Sequence, residues 1–228
     1  MLQQTQTDQV IVPYNKFITR FPDFETLSRA RFSSVLKVWM GLGYNRRAKY
    51  MWESAKRIIS EYQGELPDDT EVLKSLPGIG SATAASISVF AFNRPTVFIE
   101  TNIRTVFLYF FFKDRNNVTD REIMSYVEKM LDTKRPREWY SALMDYGVFL
   151  KNTEGNVNIR SKHYVKPTVF EGSNRQLRGA ILRALTHAAC SEEKLLSIIK
   201  KDRYIVQKNL KELEKEGMII KKGMLYKV

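Results

Sequence analysis

The chain has 228 residues, with 37 Lys and Arg against 25 Asp and Glu and a formal net charge of +12. At 43% hydrophobic residues it can bury one large core or two modest ones, and a charge this basic points to a polyanionic partner, nucleic acid first. One cysteine, Cys190, and two histidines, His163 and His187, exclude an internal disulfide, a cysteine-held iron–sulfur cluster and an ordinary zinc centre.

No apolar run approaches the roughly 18 residues of a membrane span, and "MLQQTQTDQ" lacks the basic and apolar regions of a signal peptide, so a cytoplasmic location without a membrane partner is expected. Most of residues 1–150 carries helical periodicity broken by Gly and Pro. "FSSVLKVWMGLG" predicts a helix with Val35, Leu36, Trp39 and Met40 on one face, stopped by Gly41 and Gly43. "NRRAKYMWESAKRIISEYQG" predicts an amphipathic helix burying Ala48, Met51, Trp52, Ala55, Ile58 and Ile59 and ending near Gly64.

"TEVLKSL" reads as a short helix capped by Thr70, and "SATAASISVFAF" as a helix of small residues. Between them lies "LPGIG", residues 76–80, a tight turn with no reactive side chain. Glycine at such a turn permits positive φ and bares the amides at the start of the following helix, which can hold a phosphate oxygen. A plain helical corner would have the same pattern. "VFLYFFF" (106–112) fits a buried helix. "TDREIMSYVEKMLD" opens on a capping box, Thr119 with Glu122, and "REWYSALMDYGVFLK" is a further helix.

Residues 151–172 lose periodicity and read as a linker. Residues 173–228 then give three helices, "NRQLRGAILRALTHAA", "SEEKLLSIIKK" with Ser191 as cap, and "DRYIVQKNLKELEKEG" with Ile205, Leu210 and Leu213 inward. Two short runs around Gly223 follow. That order fits a winged helix-turn-helix-like unit. It carries 13 Lys and Arg against 6 Asp and Glu, more than half of the net charge. Glu212, Glu214 and Glu216 turn the C-terminal half of its third helix away from an anionic partner. A helical dimerisation module is the alternative.

"MLQQTQ", "FP", "GLGY" with basic residues after it, "GELPD", "LPGIG" and "ALMDYG" occur in the order and spacing of the endonuclease III family. Over roughly residues 1–150 the chain therefore resembles the helix-hairpin-helix DNA glycosylase superfamily, most nearly its adenine glycosylase branch, which removes adenine opposite 8-oxoguanine. The resemblance implies a mainly α fold, with a helix-hairpin-helix glycosylase domain over 1–150, the linker over 151–172 and the winged-helix-like unit over 173–228. It implies DNA base-excision repair by hydrolysis of an N-glycosidic bond, on double-stranded DNA with a flipped base, by a nucleoid-associated monomer.

The family's carboxylate follows the hairpin by about twenty residues in a Val/Leu-Asp-Thr/Gly-His/Asn pattern. Here that stretch is Ile99-Glu100-Thr101-Asn102, so the resemblance assigns Glu100 to stabilising the oxocarbenium-like sugar and orienting water. Glu in place of Asp adds about 1.5 Å of reach. The same position would suit a helix-capping glutamate. Bifunctional members place a Schiff-base lysine where this chain has Ala82, so base removal without lyase activity is implied. Gln3 and Gln4 match the wedge that fills the space left by a flipped base, and Tyr44 an aromatic beside the damaged pair. Arg46, Arg47, Gly78, Gly80, Ser81, Thr83 and Asn102 complete the implied DNA contacts of this domain. Lys208, Lys221 and Lys222 are the expected contacts of the C-terminal unit.

The family also implies a monovalent cation, K+ or Na+, at the backbone carbonyls of Leu76 and Gly78, with no metal held by side chains. The four cysteines of the family's iron–sulfur loop are missing after "ALMDYG". The glutamate and helix that precede "MLQQTQ" in the adenine branch have no counterpart, so an N-terminally truncated domain is expected. A non-catalytic lesion sensor of the same fold and a winged-helix transcription regulator are the rival readings.

Overall fold

The computed structural model describes residues 1–166 and 169–228; positions 167 and 168, inside the expected linker, lie outside the described residues. Its elements divide into two compact units, Met1–Leu66 with Thr168–Val228, and Pro67–Pro167.

The first unit begins with α1 (Thr7–Arg20), α2 (Phe24–Arg29), α3 (Phe32–Trp39) and α4 (Arg46–Tyr62). Val35, Leu36 and Trp39 are buried, as the periodicity of α3 dictates. On α4, Ala48, Ala55 and Ile58 are buried, but Ile59 is exposed and Ser54 takes a place in the interior. α4 ends with Gln63 left-handed and Gly64 at φ 88, and the Gly64 amide reaches back to the Ile58 carbonyl at 3.0 Å. That bond pattern satisfies carbonyls the helix end would otherwise orphan.

The C-terminal part of this unit comprises α10 (Asn174–His187), β1 (Cys190–Ser191), α11 (Glu192–Ile199), α12 (Arg203–Lys215), β2 (Ile220–Lys222) and β3 (Leu225–Lys227). The strands form an antiparallel sheet in the order β1-β3-β2. Ser173, Ser191 and Asp202 cap the three helices with their side chains. The inward face of α12 is Val206, Asn209, Leu210 and Leu213, whereas Ile205, expected inside, is exposed. Positions 206, 209, 210 and 213 form one helical stripe, and the polar Asn209 disguises it in the sequence.

Leu177, Ile181, Leu182, Leu185, Val206 and Leu210 belong to the same hydrophobic cluster as Val10, Phe17, Leu36 and Trp39. The compact units therefore cut the chain differently from the boundaries expected at 150 and 172. The C-terminal helices complete a core with the first 66 residues instead of forming a core of their own.

The second unit contains α5 (Thr70–Ser75), α6 (Ser81–Phe92), α7 (Thr101–Phe111), α8 (Asp120–Met130), α9 (Pro136–Thr153) and a 3-10 turn at Val157–Arg160. Its core gathers Val89, Phe98, Ile103, Phe107, Leu108, Ile123, Val127 and Tyr140. α7 is buried on one side only: Val106, Phe107 and Leu108 are inside, but Phe110 and Phe111 are exposed. Part of the expected linker is ordered here, since α9 runs to Thr153 and Val118 pairs with Ser161 in a parallel bridge. No helix among the described residues is long and apolar enough to cross a membrane.

Candidate active site and nucleic-acid interface

In the second unit, the turn between α5 and α6 is built from backbone. Asp69, not Thr70, caps α5: its carboxylate accepts the amides of Glu71 at 2.7 Å and Val72 at 3.0 Å. One residue nearer the N-terminus, Asp69 is the extended residue that N-cap geometry demands. The Ile79 amide closes the turn on the Leu76 carbonyl at 3.2 Å. Gly78 sits at φ 73, a conformation glycine adopts without strain. Gly80 is extended, at φ −90, so its role is not conformational: it caps α6 without a side chain, and nothing lies within 4 Å of where a Cβ would stand. Gly78, Gly80, Ser81 and Ala82 are exposed and Thr83 is half-buried.

Glu100 is the N-cap of α7. Its backbone is extended, its carboxylate accepts the Ile103 amide at 2.8 Å, and its carbonyl accepts the Arg104 amide at 2.9 Å. One bond orients the carboxylate, and its second oxygen accepts none among the described residues. Catalytic and capping readings of Glu100 are thus compatible: the cap aims the group.

Residues the sequence reading passed over hold Glu100 in place. The Tyr140 hydroxyl accepts the Phe98 amide and donates to the Thr96 carbonyl, both at 3.1 Å, and its ring stacks on Phe98 at 4.3 Å. Burial pushes the Tyr140 phenol above its ordinary pKa. The Ser88 and Thr96 hydroxyls lie 2.8 Å apart, tying the same segment to α6. On the far side, Asn158 donates to the Thr105 hydroxyl at 2.5 Å and the Thr101 carbonyl at 3.4 Å. Arg104 forks onto Asp120, both bonds at 2.7 Å. Burial opposes ionisation of Asp120, but the paired guanidinium outweighs it and holds the carboxyl below its usual range. α9 packs on both α6 and α7, so one helix frames the hairpin and the Glu100 helix. Asn102 is half-buried, with its backbone against Gly147 of α9.

The first unit carries the other predicted contacts. Arg47 donates to the carbonyls of Met1 at 3.0 Å, Leu42 at 3.1 Å and Gly43 at 3.4 Å, to that of Gln3, and to the Thr5 hydroxyl at 3.0 Å. Its guanidinium also lies over the rings of Trp39 and Tyr44. Arg47 therefore pins residues 1–5 against the Leu42-Gly43-Tyr44 turn, a set of contacts that its expected placement near a phosphate did not include. The same pinning brings exposed Gln3 and Gln4 to the turn that displays Tyr44, itself 42% exposed at φ 45. Arg46, also expected near a phosphate, is exposed and pairs with Glu216. The Tyr44 hydroxyl meets a guanidinium nitrogen of Arg175 at 2.6 Å, a contact no sequence signal announced. Lys208 and Lys222 are exposed, while the Lys221 ammonium leans over the Tyr226 ring at 5.3 Å.

No group of three or more His, Cys, Asp or Glu side chains that could hold a metal occurs among the described residues.

The chain belongs to the HhH-GPD superfamily of base excision DNA repair proteins, whose profile matches residues 1–132. It is 34% identical over 151 residues to the adenine DNA glycosylase of Buchnera aphidicola subsp. Baizongia pistaciae, covering 66% of this chain and 43% of that protein. To the adenine DNA glycosylase of Mycolicibacterium smegmatis it is 31% identical over 202 residues, covering 81% and 69% respectively. The chain spans less than half the length of the Buchnera relative.

Among solved structures, a thermostable thymine-DNA glycosylase superposes with a TM-score of 0.56 at 24% identity, over 64% of this chain and 69% of that one. A trapped endonuclease III–DNA covalent intermediate superposes with a TM-score of 0.51 at 22% identity, over 67% and 70%. The likeness to both is one of fold.

Proposed function

We propose that this protein is a monofunctional DNA N-glycosylase of base-excision repair, acting as a monomer on a base flipped out of double-stranded DNA. The observation that carries the reading is Glu100, a carboxylate aimed by the Ile103 amide with one oxygen uncommitted, in a chain of the base-excision superfamily. As the C1′–N bond breaks, its electron pair leaves with the base and positive charge develops on the sugar. The Glu100 carboxylate stabilises that charge. Water then adds to C1′ and gives a proton to Glu100, which returns it to solvent, while the departed base takes up a proton from solvent. Ala82 supplies no amine, so no Schiff base forms and the strand is not cleaved by β-elimination.

The amides around Gly78, Gly80, Ser81 and Thr83 hold a backbone phosphate, and the carbonyls of Leu76 and Gly78 hold K+ or Na+ beside it. Gln3, Gln4 and Tyr44 fill the space the flipped base leaves, and Asn102 faces the strand next to Glu100. The names of the relatives point to adenine as the leaving base, and the resemblance adds 8-oxoguanine as its partner. Action on the nucleoid in the cytoplasm follows from that substrate.

The test is base release from duplexes holding A:8-oxoguanine, U:G, T:G, 8-oxoguanine:C or thymine glycol, read by strand breakage after alkali. Cleavage of at least one is expected, abolished in Glu100→Gln with binding retained, and borohydride should trap no covalent adduct. Glu in place of the family's Asp favours a second reading, a lesion-sensing binder without catalysis. Lesion-selective binding with no base release from any duplex would establish it.

A further inference from the structure

The outer surface of α12 is sorted by charge in a way its composition hides. Glu212 and Glu216 lie one turn apart and are both consumed within the molecule. Glu216 pairs with Arg46 and Arg178, and Glu212 with Arg178 at 3.5 Å. The Lys49 ammonium also reaches the Glu216 carbonyl. Burial opposes ionisation of Glu216, but the two guanidinium groups outweigh it and hold the carboxyl below its ordinary range. Two of the three acidic residues expected to repel DNA from the second half of this helix are thereby paired with Arg46 and Arg178, and Glu214 alone stays exposed without an ion pair among the described residues.

What remains outside is a stripe. Tyr204, Lys208, Lys211 and Lys215 recur at i, i+4, i+7 and i+11, so they lie within about 60° of the helix circumference and span about 16 Å. All four are exposed, Tyr204 at 73%, and none of the three lysines makes an ion pair among the described residues. Glu214 falls off this line by about 80° on the other side.

The hairpin repeats the sorting. Lys221 faces the buried Tyr226 across the ladder, so the alternate pairs, Ile220 with Lys227 and Lys222 with Leu225, present the opposite face. Those four side chains are exposed, and Met224 at the tip is 77% exposed. Lysines interleaved with exposed apolar groups on rigid elements are more than a solubilising face requires.

We propose that the Tyr204–Lys208–Lys211–Lys215 stripe, together with Lys222 and Lys227 of the hairpin, binds duplex DNA through its phosphates, as a second contact surface made of residues other than those assigned to base removal. An α-helix fits the roughly 12 Å width of a major groove, and lysines along it can meet phosphates on either lip. Contacts of this kind position the protein and carry no sequence information. The proposal does not depend on glycosylase activity, because it concerns undamaged DNA as much as damaged.

The test uses the full chain. Affinity for an undamaged 30-base-pair duplex is measured against salt for the wild type, for K208Q/K211Q/K215Q, and for a control, K16Q/K37Q/K129Q, that removes the same charge elsewhere. Each phosphate contact contributes about −0.9 to the slope of log K against log salt, so the stripe variant should flatten the slope by about two to three units. The control should change it by less than one unit. The ratio of affinities for lesion and undamaged duplexes should not change. Thermal melts of all three proteins establish that the fold is intact. An unchanged slope in the stripe variant, or an equal fall in the control, overturns the proposal. So does a stripe variant that keeps duplex affinity but loses binding to phosphatidylserine vesicles, which would assign the surface to a membrane.

Discussion

Gly147 on α9 meets the backbone of Asn102 on α7 so closely that a Cβ added to it would stand 2.4 Å from the Asn102 carbonyl oxygen. The contact lies two residues from Glu100, at the first turn of the helix Glu100 caps. Ordinarily Gly→Ala inside a helix gains about 1 kcal/mol. Here the obstacle is backbone, which cannot swing aside, and overpacking typically costs about 1–3 kcal/mol. Gly147→Ala should therefore lower the denaturant midpoint. Base release should slow by about 100-fold if α7 moves by about 1 Å. A variant with a raised midpoint and full activity would show that the two helices separate freely.

Tyr140→Phe removes one hydroxyl and leaves two backbone groups without their partner, the buried Phe98 amide and the half-buried Thr96 carbonyl. The expected cost is about 1–3 kcal/mol in unfolding free energy. Since the segment leads directly into Glu100, the rate of base release should fall as well, and a loss of stability without any loss of rate would separate the clamp from the site.

Arg47→Lys keeps the charge and loses the fork. A lysine cannot reach the carbonyls of Met1, Gln3, Leu42 and Gly43 together, because it offers one nitrogen where arginine presents five donors in a plane. Amide hydrogen exchange in residues 1–5 and 41–44 should accelerate by tenfold or more, with α9 unaffected. Discrimination between lesion and undamaged duplexes should narrow. Exchange at the wild-type rate would show that the loop is held by other contacts.

Acid should melt α8 by way of Glu122. Its carboxylate accepts the Thr119 amide and hydroxyl, each at 2.8 Å, and the Arg115 guanidinium at 2.6 Å, and these hold its pKa at about 2 against an ordinary value of 4.5. The folded value lies below the unfolded one. The stabilisation is therefore complete above about 4.5 and is lost as pH falls towards 2. In Glu122→Gln the loss of stability between pH 4.5 and 2 should be shallower than in wild type. Thr119→Ala should cost about 1 kcal/mol at neutral pH through the lost cap. Equal acid slopes in the wild type and Glu122→Gln would remove Glu122 from the acid transition.

Local chemistry was legible in the sequence wherever neighbours along the chain determine it. The capping box at Thr119 and Glu122, the serine cap at Ser191, the glycine turn at Gly78 and the buried stripe of α3 each depend on residues within a turn or two of one another, and each is found in the structure. Motif order identified the superfamily, because "LPGIG" and the carboxylate after it are short and contiguous. Glu100 could be singled out for the same reason.

Tertiary structure decided what spacing cannot encode. Arg46 and Glu216 are separated by 170 positions, and nothing local tells Arg46 that a carboxylate will lie beside it. Arg47 reads as a surface cation until the chain folds four carbonyls around it. The placement of 173–228 on the core of the first 66 residues was equally hidden, since an apolar stripe on α10 looks the same whether it faces its own unit or another segment. Tyr140, Gly147 and Asn158 position Glu100 from 40 to 58 residues away in the chain, by close packing and by paired backbone groups. A sequence records which residues can cap, turn or carry charge. Which distant groups end up beside them is set by how the helices pack, because burial favours arrangements in which most polar groups inside find a partner, wherever in the chain that partner lies.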